Sequence, residues 1–203
     1  MKDSNQRLQQ AIEDVKKGKP VIIVDDFDRE FEGDLVIAGE KADKYNLIFA
    51  MRHAKGLMCI PCFQEKLDQF EIPMMNRNNQ DKYGTPFTVS IDALEGTTTG
   101  MSVYDRLKTI STFCSKDSKP NEFAQPGHLF PLRAKPNLLK DRRGHTEGSL
   151  ELVRLAGLQP VSVIVEIMDE NGTMLKGDDL EAYARIYDLT LISIEELYNA
   201  VYN

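Results

Sequence analysis

The chain of 203 residues carries 41% apolar and 28% charged side chains and a net charge of −7, which is the composition of one ordinary globular domain. No apolar run approaches bilayer-spanning length, the N-terminus MKDSNQRLQQ has no apolar signal core, and the negative balance disfavours nucleic-acid binding, which needs a positive footprint. Three cysteines without a disulfide framework, Cys59, Cys62 and Cys114, point to a reducing compartment and a cytoplasmic location.

Helical spacing of Leu8, Ala11, Ile12 and Val15 predicts a helix over Ser4–Lys17, ended by Gly18. Pro20 then opens a buried strand, Val21–Val24, followed by the acidic run DDFDREFEGD at 25–34. Seven of its ten residues are charged: Asp25, Asp26, Asp28, Arg29, Glu30, Glu32 and Asp34. Carboxylates so crowded repel each other unless a cation or a proton intervenes. A solvated acidic turn would show the same charges, but a loop leaving a buried strand is where α/β proteins place chemistry.

Beyond it, the pattern predicts a strand at Leu35–Ala38, a helix over Asp43–Ala54 and a strand at Leu57–Ile60. Cys59 and Cys62 have the spacing of a redox pair, though cysteines at a strand end are more often core. Residues 71–85 read as a long loop, Phe87–Ile91 as a strand, Ser102–Phe113 as a helix and Lys116–Pro126 as a loop or flap. A short apolar run, Leu129–Leu132, precedes the basic loop Arg133–Gly144, and Thr146 is placed to cap a helix to about Ala156. Val161–Ile167 is apolar almost throughout, and Asp169–Gly172 signals a turn. A helix near Asp178–Tyr187, a strand at Thr190–Ile192 and a helix from Ser193, with Glu196 completing a capping box, finish the chain. Interleaved helices and strands, some strands adjacent, give an α+β domain of α/β type in three layers: a mixed sheet flanked by helices.

Three further segments carry candidate chemistry. In Arg142-Arg143-Gly144-His145-Thr146, two guanidiniums and the following helix N-terminus suit a phosphate, and His145 suits a metal. A surface basic turn is the plainer alternative. Glu95-Gly96-Thr97-Thr98-Thr99-Gly100 offers three hydroxyls between glycines, a weak signal because Thr/Gly turns are common. Glu166, near the end of an apolar strand, is placed to be partly buried and thereby suited to proton transfer, as is His128 in its Gly-flanked loop. Together these residues describe a metal-assisted enzyme for a small phosphorylated compound; isomerase, lyase and phosphatase all stay open.

The stretches DDFDREFEGDLVIAGE, RHAKGLMCIPC, TPFTVSIDALEGTTTGMSVYDR, QPGHLFPLRAK and RRGHTEGSLELVRLAGLQPVSVIVEI run in order from about residue 20 to 167. In them the chain resembles 3,4-dihydroxy-2-butanone 4-phosphate synthase of riboflavin biosynthesis. The resemblance implies conversion of D-ribulose 5-phosphate to L-3,4-dihydroxy-2-butanone 4-phosphate and formate, through an enediolate and a skeletal rearrangement. It implies magnesium or manganese, two ions per site, and a homodimer with the active site at the interface. By matching position, Glu30 and His145 are its metal ligands. Arg29, Glu30, Asp34, Arg142, Arg143, Gly144, His145, Thr146 and Glu166 contact substrate, and His128, Glu166, Glu32 and Cys59 are catalytic. Phe31 departs from the family pattern, which has a small polar residue there. The expected organisation is a single catalytic domain over residues 1–203 without a GTP cyclohydrolase II domain. The rival readings are a metal-dependent sugar-phosphate isomerase and a non-catalytic relative.

Overall fold

The computed structural model describes residues 4–26 and 29–203. Asp28 of the acidic run lies outside the described residues. Among them the strands are β1 (Val21–Val24), β2 (Gly33–Ala38), β3 (Cys59–Cys62), β4 (Ile91–Ala93), β5 (Phe123–Arg133), β6 (Ser162–Glu166) and β7 (Thr190–Ser193). The helices are α1 (Ser4–Lys16), α2 (Lys44–Phe49), α3 (Gln64–Gln69), α4 (Val103–Cys114), α5 (His145–Leu155), α6 (Gly177–Ile186) and α7 (Ile194–Tyr202). All strands join one sheet in the order β4-β5-β3-β6-β2-β1-β7. β1 runs parallel to β7 and β3 parallel to β5, while the β1/β2, β2/β6, β3/β6 and β4/β5 pairs are antiparallel.

The central strands are apolar on both sides because helices cover both faces. Successive side chains of a strand point to opposite faces, and the two cores divide accordingly. Ile22, Leu35, Ile37, Val163 and Val165 pack with Leu47 of α2, Ile110 and Phe113 of α4 and Leu180 of α6. Val21, Ile23, Val36, Ala38, Cys59 and Ile164 pack with residues of α1, α5 and α7. The same alternation places Asp25, Asp34 and Glu166 on the α5 side, at the end of the sheet where α5 begins.

The local elements differ from expectation in instructive ways. The helix over 43–54 is capped as a box by Asp43 and Asn46, but its second half, Ala50–Ala54, widens into π-helical geometry and stops at Lys55, whose φ is +75°. β3 lies at Cys59–Cys62 rather than 57–60, and its 3-residue spacing puts Cys59 and Cys62 in opposite cores, so they form no redox pair. The expected loop over 116–126 is half strand, because β5 starts at Phe123. Within residues 123–129 of β5 only Phe123, Ala124 and Leu129 pair, all with β4, and β3 joins from Phe130 onward, so Pro126 breaks no central ladder. The expected strand 87–91 is reduced to bridges at Phe87 and Thr88, and β4 begins where it was expected to end. The N-cap of α5 is Gly144, not Thr146, which is the second residue of the first turn. No described helix is long and apolar enough to cross a membrane.

Candidate active site

The acidic loop is organised around its first residue. Asp25, buried at the end of β1, accepts from the backbone N–H of Glu32 at 2.9 Å and of Glu30 at 3.3 Å, and from Arg29 Nη1 at 2.5 Å. Arg29 bridges on to Glu30 Oε1 at 2.6 Å. One carboxylate thus folds the loop back over the sheet end and turns Glu30 toward His145. Asp25, Glu30 and His145 each present a ligand atom, all within 4.8 Å of one another.

His145 is the first residue of α5 and is buried. Its Nε2 lies 3.2 Å from the Glu32 carbonyl and 4.0 Å from Asp25 Oδ1, and its Nδ1 lies 3.8 Å from Asp34 Oδ1. Burial lowers its pKa, against the opposing pull of Asp25, so the ring is a neutral donor at physiological pH. Asp34 is fully buried, and burial, then Glu166, Glu30 and other carboxylates, raise its pKa well above the ordinary value. Its Oδ1 has no hydrogen-bond partner among the described residues. Glu166 is also raised, chiefly by burial, while its Oε2 accepts from Leu57 N–H at 2.7 Å. Burial likewise raises the carboxyl of Glu30. An orphaned buried oxygen beside hard carboxylate donors and an imidazole is a donor set that fits a divalent cation such as magnesium or manganese.

Arg29, Glu30, Asp34, Cys59, Arg142, His145, Thr146 and Glu166 all line one cavity, together with Thr85 and Phe87. Arg142 reaches it from a buried pairing: its Nη1 donates to Glu147 Oε2 at 2.7 Å, and its Nε has no hydrogen-bond partner among the described residues. Cys59 forms part of the wall with a thiol that burial holds well above its usual pKa, so it is a neutral surface. Glu32 turns its carboxylate toward Lys176, 3.5 Å away, and Lys176 also donates to the Glu30 carbonyl.

Besides Glu32, three expected residues are outside the lining of the cavity. Arg143 does not line the cavity; its guanidinium stacks 3.9 Å from the ring centre of Tyr198 on α7. The two arginines precede α5 in non-helical backbone and reach different partners, Arg142 the buried Glu147 and Arg143 the ring of Tyr198. Gly144 contributes as the cap, where a side chain would strike Arg142 at 2.3 Å. His128, on β5, lies outside the cavity of its own chain with its side chain 42% exposed, held by Asp92. Phe31 points to α6, where a side chain on Gly177 would come within 3.6 Å of its ring, so the departure from the family pattern does not intrude on the cavity. In the Thr/Gly turn, Thr97 donates to the Ala93 carbonyl, and Asp105 accepts from Thr98 and Gly100, so that turn is internally satisfied.

Asp25, Asp92 and Glu147 were not singled out as site residues. Asp25 had a signal: alternation from Val21 and Ile23 puts it on the face of His145. Asp92 had none, because its partner is 36 residues away, whereas Glu147 lies in the quoted RRGHTE stretch, five residues after its partner Arg142.

The fold and this cavity define an α+β enzyme domain with a carboxylate–imidazole donor set at the strand ends and a buried arginine beside it. A family model for 3,4-dihydroxy-2-butanone 4-phosphate synthase matches residues 9–200, and the chain belongs to that family. It is 43% identical over 191 residues to the 3,4-dihydroxy-2-butanone 4-phosphate synthase of Candida albicans, covering 94% of each chain. It is 47% identical to a chloroplastic monofunctional riboflavin biosynthesis protein of Arabidopsis thaliana, of whose length it spans 40%. A crystal structure of 3,4-dihydroxy-2-butanone 4-phosphate synthase in complex with two magnesium ions superposes with a TM-score of 0.90 at 39% identity, covering 96% of this chain and 95% of that one.

Proposed function

We propose that this chain is a catalytic domain that converts D-ribulose 5-phosphate to L-3,4-dihydroxy-2-butanone 4-phosphate and formate. The family match over residues 9–200 carries the reading, and the cavity supports it residue by residue. Glu30 and His145, with Asp25 beside them, would hold magnesium or manganese, and the two-magnesium relative suggests a second ion. A bound divalent cation supplies Lewis-acid polarisation of the substrate's carbonyl and hydroxyl oxygens.

The chain's own groups do the rest. Arg142 sits beside the N-terminus of α5, where a phosphate meets both a guanidinium and free backbone N–H groups. Gly144 and Thr146 shape that cradle, and Arg29 closes it from the acidic loop. Glu166 and Asp34, both raised by burial and both lining the cavity, are the groups suited to exchange protons with the substrate. Glu32 steadies the loop through Lys176, and Cys59 walls off water.

His128 enters this scheme from a second copy. Its place on β5, with β3 between β5 and β6, keeps it out of its own chain's cavity. In the segments adjoining Asp92 and Gly100, Leu94, Met101 and Tyr104 are exposed apolar side chains of the kind a homodimer interface buries. Three free buried thiols suit a reducing cytoplasm.

The test is formate release from ribulose 5-phosphate, with magnesium and then with a chelator. Metal-dependent formate is the expected result; isomerised substrate without formate would reject the lyase reading.

A further inference from the structure

The segment that presents His128 is built around a second acidic residue with no place in the cavity. Along the β4/β5 ladder, Ile91 pairs with Leu129, but the next residue, Asp92, pairs with Ala124. Residues 125–128 therefore bulge out of β5 opposite a single peptide step of β4, and a bulge of this kind re-aims a side chain. Gly127 makes it possible, since a side chain there would strike the Ile91 backbone at 2.1 Å. Its N–H is tied to the Ser90 carbonyl at 3.0 Å and to Ser90 Oγ at 3.1 Å.

Asp92 then grips His128 twice. Oδ1 accepts from the His128 backbone N–H at 3.0 Å, and Oδ2 lies 2.6 Å from Nδ1. Asp92 is buried, and Gly100 closes the far side, where a Cβ would lie 2.1 Å from Asp92 Oδ2 and 2.5 Å from His128 Nδ1. Gly100 is held in turn by Asp105, which accepts its N–H at 3.1 Å. The Thr/Gly turn is thus a clamp on a histidine–aspartate pair, not an anion site.

We infer that Asp92 is a positioning residue that fixes His128 as the Nδ1–H tautomer and leaves the Nε2 lone pair as the proton acceptor offered to substrate. A carboxylate at hydrogen-bond distance accepts, so the proton sits on Nδ1 and Nε2 is free. This rests on the reading of His128 given above. It predicts an unusual sensitivity. In Asp92→Asn the His128 backbone N–H still demands an acceptor, so the amide oxygen stays at the Oδ1 place. The amide NH2 then faces Nδ1 and donates to it, and the ring proton moves to Nε2. The shape is kept while the base is lost.

The test uses the full chain with magnesium. Ring nitrogen-15 spectra, with His128 assigned by its loss in His128→Gln among the three histidines, should show neutral His128 protonated at Nδ1 in the wild type and at Nε2 in Asp92→Asn. Formate release by Asp92→Asn should fall in kcat by on the order of 10²-fold or more, with KM nearly unchanged. A wild-type His128 protonated at Nε2 overturns the inference whatever the variants do. So does an Asp92→Asn enzyme of wild-type kcat while His128→Gln is inactive. A fully active His128→Gln instead overturns the reading of His128 itself, and the positioning role with it.

Discussion

Asp34 and Glu166 stand directly opposite each other across β2 and β6, both on the side of the sheet that α5 covers. Like charges so placed disfavour simultaneous ionisation, and Asp34 shows it, raised first by burial and then by Glu166. A carboxyl raised above its ordinary value of 3.8 contributes stability that is present below that value and lost as pH climbs through the folded one. His145, lowered by burial from 6.5, works the other way: its contribution is present above 6.5 and lost as pH falls. Above 6.5 only the carboxylate effect remains. The cation-free protein should therefore lose thermal stability as pH rises through the folded-state pKa of Asp34, and added magnesium should raise Tm more on the alkaline side of that loss. Scanning fluorimetry with and without magnesium measures this. A magnesium increment that shrinks with pH would contradict it.

Glu30→Gln and His145→Ala each remove one member of the three-residue donor cluster. Several kcal/mol of Lewis-acid stabilisation would be lost with the cation, about a 100-fold or greater drop in formate release. Saturating magnesium should restore part of the activity of Glu30→Gln, since Asp25 and His145 remain. Titration of activity against magnesium separates weaker cation binding from a failure of chemistry.

The two arginines of the basic loop should behave unlike each other. Arg142 lines the cavity and is paired with buried Glu147, whereas Arg143 stacks on Tyr198. Losing a charge-assisted contact of about 1.5–3 kcal/mol should raise the KM of Arg142→Ala roughly 10- to 100-fold. Arg143→Ala should leave KM within about threefold and cost about 0.5–1 kcal/mol of stability through the lost stacking. Steady-state kinetics and urea melts of the pair decide it, and equal effects on KM would show that Arg143 also reaches substrate.

Gly33 begins β2 where Leu180 of α6 presses on the backbone, and a Cβ there would lie 2.4 Å from Leu180 Cδ2. Gly33→Ala should cost about 1–3 kcal/mol by overpacking, or about 2–4 °C of Tm for each kcal/mol in a chain of this size. Leu180→Ala in the same chain should recover part of that loss relative to Leu180→Ala alone. Strict additivity in the double variant would rule out the clash as the cause.

Much of this architecture was legible along the chain because the signals were local. Val21–Val24 and the apolar run ending at Glu166 declare buried strands by composition, and Ser193 with Glu196 declares a helix start by a capping box that the structure contains. The segments read less well were those whose state depends on a neighbour. The first half of β5 looks like a loop because of Pro126 and Gly127, and becomes a strand because β4 pairs with one side of it, while no strand among the described residues pairs with the other. Phe87–Ile91 alternates as a strand should, yet only Ile91 joins a strand, while Phe87 and Thr88 make isolated bridges.

By itself the sequence determined which chemistry is available: an acidic loop at a strand end, a basic loop opening a helix, and a carboxylate closing an apolar strand. Only the tertiary structure decided which of those groups meet. Strand parity and the β2/β6 register put Asp34 and Glu166 on the α5 face. Ahead of α5, Arg142 faces the cavity and Arg143 faces Tyr198, and a bulge in β5 joins His128 to Asp92, 36 residues earlier in the chain. The reason is physical: composition and period act within a few residues, whereas burial, pairing and charge coupling depend on what lies across the sheet.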